Sequence, residues 1–224
     1  MTTLAIDAST YVGTVAVFCQ GQLLSDASAA MRGWDAEALM PAVADCLSRA
    51  TTQPMALSRV VCGSGPGSFT SLRIAASIAK GVAAAANCPL FAVSSLALLA
   101  VGDGELPPGN YLAVLDALRG EAYVGGYAIA AGGGVSMILS ERLVRHEEIQ
   151  QIAASIDAIS VGQEQSIRRA PHARAARFLE AFITDAGSVS LAEWEPRYGR
   201  KAEAQMRWEA AHQKPLPVTG PTSR

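Results

Sequence analysis

The chain has 224 residues, half of them hydrophobic, and a net charge of −2. Its length fits one large domain or two small lobes with a real core. Its charge supplies no basic field that would hold nucleic acid unaided. Four cysteines, at positions 19, 46, 62 and 88, sit in apolar contexts with no C-x-x-C pair, as expected of buried thiols in a reducing compartment. The first residues enter a strand pattern at once, so no signal peptide is expected. The most apolar stretch, Leu90–Val101, is about half the length of a membrane span. A cytoplasmic protein without membrane contact is expected.

Thr3–Asp7 reads as a buried strand that ends in an acid and the hydroxyls of Ser9 and Thr10. Val12–Cys19 is a second strand, Gln20-Gly21-Gln22 a hairpin turn, and Leu23-Leu24 opens a third strand. This opening resembles that of actin-like ATPases and sugar kinases, whose first turn holds nucleotide phosphates and a metal. They usually carry glycine two positions after the acid, where this chain has Ser9. Asp7, Ser9 and Thr10 are therefore candidates for cofactor binding, and equally for hydrogen-bonding the turn itself.

A helix is expected from Asp35 to about Ala50, with Pro41 bending or delaying its first turn and Leu39, Val43, Cys46 and Leu47 at helical spacing. A short strand ending at Cys62 then runs into Gly63-Ser64-Gly65-Pro66-Gly67-Ser68 and a long small-residue helix from about Phe69 to Ala86. Strand, glycine loop and helix is a layout that suits anions. Yet no lysine occurs before Lys80, as a Walker loop requires, and Ser68 stands where the dinucleotide fingerprint needs glycine. Either the glycines bend the backbone tightly or they let something approach it. Ser68 or Thr70 is expected to cap the helix. Its stripe of Ala75, Ala79, Ala83 and Ala86 suits packing on its own sheet. Leu72, Ile74, Ala76, Ile78 and Val82 spread apolar surface over other faces, which suggests a second neighbour. Leu90–Val93 closes a β-α-β unit, and Ser94 or Ser95 caps a helix through Ala100.

Residues 103–110, rich in glycine and proline, mark a passage between lobes. Tyr111–Asp116 repeats the apolar strand ending in Asp-Ala, followed by strands over Glu121–Ile129 and from Val135, so a weak internal duplication is read. Arg119 is the expected ion-pair partner of Asp116. A helix from His146 to about Ile156, a strand to Val161 and an Arg- and Ala-rich helix over Ala170–Phe182 follow. Arg168, Arg169, Arg174 and Arg177 form the basic cluster, read as a solvated face. Lys201–Ala211 is read as a short helix. The division expected is residues 1–102, an N-terminal lobe; 103–211, a C-terminal lobe whose last helix packs back on the first; and 212–224, a disordered tail.

The three histidines, at 146, 172 and 212, give no pair at metal-binding spacing, and no Ser/His/Asp or Cys/His set can be argued. No catalytic or metal-ligating residue is therefore assigned. The fold without the chemistry is the better reading. The alternatives are a stand-alone nucleotide-binding kinase or ATPase, motivated by Asp7 and Asp116, and a metallopeptidase, disfavoured by the histidine count.

The pieces in order resemble the TsaB (YeaZ) family. They are Leu4–Thr10, Leu39-Met40-Pro41, Gly63–Ile74, Ala79-Lys80-Gly81, Val93–Leu96, Asp116–Tyr123 and Glu195-Pro196-Arg197-Tyr198. The Gly-Pro-Gly-Ser-Phe-Thr block is the most specific, and the likeness covers roughly residues 1 to 200. The resemblance implies an α/β, two-lobed actin-like fold without catalysis. It implies a dimerisation subunit that pairs with a TsaD-like catalytic subunit and recruits a TsaE-like ATPase, for threonylcarbamoylation of adenosine 37 in tRNAs reading ANN codons. A homodimer is implied for the chain alone, with tRNA contacted only indirectly. No resident cofactor is implied, although ATP or ADP could sit at a shared interface in the complex. The partner surface expected on the first two helices comprises Leu39, Val43, Cys46, Leu47, Leu72, Ala75, Ala76, Ala79, Val82 and Ala83. Gly63, Gly65, Pro66, Gly67 and Ser68 form the structural loop.

Overall fold

The computed structural model describes residues 1–31, 38–104, 106–199 and 211–213. The expected helix start at Asp35, with its neighbour Trp34, lies outside them. So do nearly all of the expected Lys201–Ala211 helix and the tail from residue 214, while Ala211 and His212 are helical.

The chain builds two mixed sheets from the same plan. In the first, β1 (Thr2–Asp7), β2 (Val12–Cys19) and β3 (Gln22–Ala30) form an antiparallel meander. Parallel to β1 run β4 (Arg59–Gly63) and then β5 (Leu90–Val93). In the second, β6 (Gly109–Asp116), β7 (Glu121–Ile129) and β8 (Val135–Arg145) repeat the meander, and β9 (Ala158–Gly162) runs parallel to β6. A short β10 (Ile167–Arg168) follows β9, and β11 (Ser188–Val189) returns to pair with β5. The duplication read from the two Asp-Ala strand ends is therefore present in the topology.

Among the described residues, helices complete three packed interfaces. On the outer face of the first sheet, α1 (Leu39–Arg49) and α2 (Phe69–Ala86) cover Leu4, Ile6, Val15, Val17 and Val60. On the outer face of the second, α4 (Ile149–Ser155) covers Leu112, Val114 and Val124. Between the sheets lies α3 (Ser95–Val101), every residue of it buried, against Ala5, Phe18, Tyr111, Leu115 and Tyr127. A helix apolar on every side is one with neighbours on every side. The hydroxyl of Ser94 caps α3, accepting from the backbone N–H groups of Leu96 and Ala97.

The segment expected as one helix over Ala170–Phe182 is two pieces. A 3-10 turn covers Ala173–Phe178, and α5 covers Glu180–Ala186. Pro171 delays the start, and His172 accepts the Arg174 N–H at 3.2 Å as a cap. Leu179 then leaves helical geometry at φ −108°, so that Ala173, Ala175, Ala176, Leu179 and Ile183 all reach the central core.

One buried charge ties this returning segment to the first sheet. Arg59 is 3% exposed. Its Nε donates to Thr3 Oγ1 at 2.9 Å, its Nη1 to Glu180 Oε1 at 2.8 Å, and its Nη2 also meets the Glu180 carboxylate. A guanidinium placed so deep needs its carboxylate. Glu180→Ala should cost about 1–3 kcal/mol by leaving Arg59 without it. Chemical denaturation, compared with wild type, measures this loss.

Candidate functional site: the glycine loop and the first turn

The glycine loop is closed by its own chain. A Cβ at Gly63 would lie 1.9 Å from Asp7 Oδ2, and one at Gly67 would lie 2.2 Å from the Ser9 carbonyl oxygen. Gly65, at φ +84°, lies so near the carbonyl of Arg197 that a Cβ would fall 2.4 Å from it. The Gly65-Pro66 peptide is cis. Of the two roles left open for these glycines, close approach is the one the structure uses, and what approaches is protein. Backbone bonds then fix the loop. Ser64 N–H donates to Val93 O at 2.7 Å, Ser95 N–H to Gly65 O at 3.0 Å, and Ser68 N–H to Ser9 O at 2.8 Å. That last bond occupies the first donor of α2, the group an anion would have used. Ser68 stands at the N-cap, but neither it nor Thr70 caps the helix through its side chain. Ser68 Oγ instead accepts from Ser71 Oγ at 3.0 Å.

Asp7 is buried at the centre of this closure. Its Oδ1 accepts from Ser9 N–H at 3.1 Å and Ser9 Oγ at 2.8 Å, and its Oδ2 accepts from Ser95 Oγ at 2.5 Å. Burial pushes its carboxyl pKa up, and the three donors oppose the shift. Burial, with Asp7 beside it, also pushes the Cys62 thiol far up, as an inert core thiol requires. All four cysteines are free. Thr10, by contrast, closes a small turn of its own with Val12.

The second turn is not the equal of the first. Asp116 is exposed and accepts from Leu118 N–H at 3.0 Å. The basic side chain beside it is His146 at 3.5 Å, not Arg119, which with Leu118 takes a left-handed backbone past the strand end. Among the described residues no three of His, Cys, Asp and Glu stand together as a metal set. No described helix is long and apolar enough to cross a membrane.

The partner surface expected on α1 and α2 requires correction. Leu39, Val43, Cys46, Leu47, Leu72, Ala75, Ala76, Ala79 and Ala83 are all buried within the chain's own lobe, and only Val82 of the ten is half-exposed. The helical period identified one face, and that face turns inward onto β1, β2 and β4. Outward from it lie the half-buried Ile74, Ile78 and Val82, then the exposed Ser77, Gly81, Ala84 and Ala85, with Met40 exposed on α1.

Two arrangements have no local signal in the sequence. Residues 194–199 form a strap over the glycine loop. Arg197 N–H donates to Ser64 O at 2.7 Å, the Tyr198 ring lies 4.3 Å from that of Phe69, and Lys80 sits 5.8 Å above Trp194. Beneath the strap, Glu141 of β8 meets the Ser94 hydroxyl, accepts from Tyr127 Oη at 2.6 Å and pairs with Arg197 at 2.9 Å. The cluster read as a solvated basic face is also divided. Arg174 grips Asp103 through Nε and Nη2 and Asp26 through Nη1. This holds the Asp103 carboxyl below the usual carboxylate range. Arg177 lies 4.6 Å over Phe178.

Comparison with known proteins now places this architecture. The family described as TsaD: tRNA N6-adenosine threonylcarbamoyltransferase matches residues 35–183. The chain is 31% identical to the tRNA threonylcarbamoyladenosine biosynthesis protein TsaB of Escherichia coli over 72% of each chain. It is 35% identical to the protein of the same name from Bacillus subtilis over 59% of its own length and 57% of that protein's. The structure of YeaZ from Pseudomonas aeruginosa superposes with a TM-score of 0.74 at 29% identity, over 88% of this chain and 99% of that one. The two-sheet plan is that of the actin-like fold, and the chain belongs to the TsaB (YeaZ) family.

Proposed function

We propose that the chain takes part in threonylcarbamoyladenosine synthesis in tRNA as a non-catalytic platform. It pairs with a TsaD-like catalytic subunit, which modifies adenosine 37, and the pair recruits a TsaE-like ATPase. The observation that carries this reading is the family membership itself. The geometry supports it in two ways. Asp7, the acid that would serve a nucleotide-dependent enzyme of this fold, is enclosed by Ser9, Gly63 and Ser95. The outer face of α2 carries small side chains at Ser77, Gly81, Ala84 and Ala85 beside Ile74 and Ile78, a surface that another helix could approach closely. A homodimer of the lone chain would use the same face, and tRNA would be held chiefly by the partner.

Two variants separate this face from the core behind it. A Cβ at Gly81 meets nothing within 4 Å, so Gly81→Glu should leave the fold intact and even favour the helix slightly. It should weaken the complex with a TsaD-like subunit at least tenfold in calorimetry, and lower reconstituted threonylcarbamoyladenosine synthesis in parallel. Ala79→Glu should instead cost several kcal/mol and unfold the chain, because Ala79 is fully buried. Unchanged affinity for Gly81→Glu would remove this face from the reading. Synthesis that runs equally well without the chain would remove the role.

The competing reading, a stand-alone ATPase, makes Asp7 a functional acid. Its folded pKa lies above its unfolded value, so its contribution to stability is greatest below the ordinary carboxylate range. That contribution falls as pH rises from there towards the folded pKa. Asp7→Asn removes this titration, and an amide can still accept from Ser9 and donate to Ser95. Its stability relative to wild type should therefore improve in denaturation curves as pH rises above the ordinary carboxylate range, while complex formation is kept. The wild-type chain with ATP and magnesium should release no phosphate above the blank. Turnover that Asp7→Asn abolishes would favour the ATPase.

A further inference from the structure

Once Arg174 and Arg177 are accounted for, the basic cluster leaves two guanidinium groups, those of Arg168 and Arg169. Neither has a carboxylate partner among the described residues. Both line a cavity of about 450 Å³, within the roughly 300–1,000 Å³ typical of small-molecule sites. The two arginines come from the end of β10, at the margin of the second sheet. The lining also includes Thr10, from the turn after β1, and Ser28 of β3, in the first sheet.

A second observation is independent of the charge. Gly102, at φ +55°, stands where any side chain would collide with Arg169: a Cβ there would lie 1.7 Å from Nη1 and 2.7 Å from Cζ. The half-buried guanidinium thus has a seat cleared for it. Among the described residues its Nη1 donates only to Val101 O, at 3.4 Å, which leaves most of the fork's donors for a ligand. The carboxylates nearby, Asp103 and Asp26, are both held by Arg174. Burial pushes the pKa of His172 down, which keeps that ring neutral at neutral pH. Three guanidinium groups against two carboxylates leave the cavity positive, on a chain whose overall charge is −2.

We propose that this cavity binds a small phosphate-bearing ligand, with Arg168 and Arg169 as the paired donors and the Ser28 hydroxyl in the same lining. Guanidinium groups match the oxygens of a diphosphate two at a time. A cavity of this size, on a chain whose net charge is −2, favours a small anion over a polymer, which would need a basic track leading away from the cavity. The site is separate from Asp7 and needs no metal.

Titration calorimetry on the full chain, without metal, tests it with three probes: inorganic pyrophosphate, ADP and a short single-stranded RNA. Pyrophosphate and ADP should both bind. Equal affinities would assign recognition to the phosphates alone, and tighter ADP binding would add the nucleoside. Arg168→Ala removes an exposed side chain and should leave the thermal melt unchanged while weakening binding at least tenfold. Arg168→Lys should recover part of that loss, and Asp7→Asn should bind as wild type does. The proposal fails if neither small anion binds at millimolar concentration, if Arg168→Ala binds undiminished, or if only the RNA binds.

Discussion

A carboxylate without access to water sits where β1, the glycine loop and α3 meet, and the first lobe is arranged around it. An ionised acid in such a place is stable only when its oxygens are hydrogen-bonded. Asp7 meets that requirement with donors from two parts of the chain, Ser9 close by and Ser95 almost ninety residues on. The donors reach it because Gly63 lacks a side chain. Each demand leads to the next. Ser95 must lie at the start of α3, which places that helix between the sheets. Ser9 must turn back over Gly67, which sets the first turn of α2. The strap of residues 194–199 then seals the loop from outside through Ser64 and Gly65.

Much of this was legible in the sequence where the pattern is local. The alternation of Val12–Cys19 and its Gln-Gly turn specified a hairpin, and the hydroxyls before a run of leucine and alanine specified a helix capped by Ser94 or Ser95, of which the structure uses Ser94. The repeat of an apolar strand ending in Asp-Ala specified two related sheets. Periodicity, however, groups residues on a face without stating where that face points. The alanines of α2 recur as an interface would have them, and they also suit a helix laid tightly on β4. The tie is broken only by β1 and β2, whose Leu4, Ile6, Val15 and Val17 all need cover on the same side. The outward face is what remains, and its residues are the inconspicuous ones: serine, glycine and alanine.

Pairings across long separations were not legible, for a different reason. Arg59 and Glu180 each look like surface residues in their own segments, and nothing adjacent marks one as buried. The same holds for Glu141, which stands on a mostly exposed strand but has only 8% of its side chain exposed, between Arg197, Tyr127 and Ser94. Such groups are recognised by what surrounds them after folding, and a charged letter in a sequence carries no record of that. The Ala170–Phe182 segment failed at shorter range. Its composition favours helix, but Pro171 delays the start and Leu179 leaves helical geometry at φ −108°, so two short pieces form where one helix was expected.

The two turns that look alike in sequence end differently, and this difference bears on what each lobe can do. Over Asp7 the chain supplies Ser95 from α3, so the acid is enclosed. Asp116 has no such cover and stays exposed at the rim of a cavity of about 290 Å³ with His146. Opening the first turn would expose a buried acid and break at least three hydrogen bonds at once, so motion there is opposed by several kcal/mol. A lobe braced in this way holds the outer face of α2 in a fixed direction. Under the reading proposed above, a partner helix would gain from that stiffness, since a surface already in its bound shape loses little entropy on association. Asp7, held by Ser9 and Ser95, thus acts as an internal brace of the first lobe.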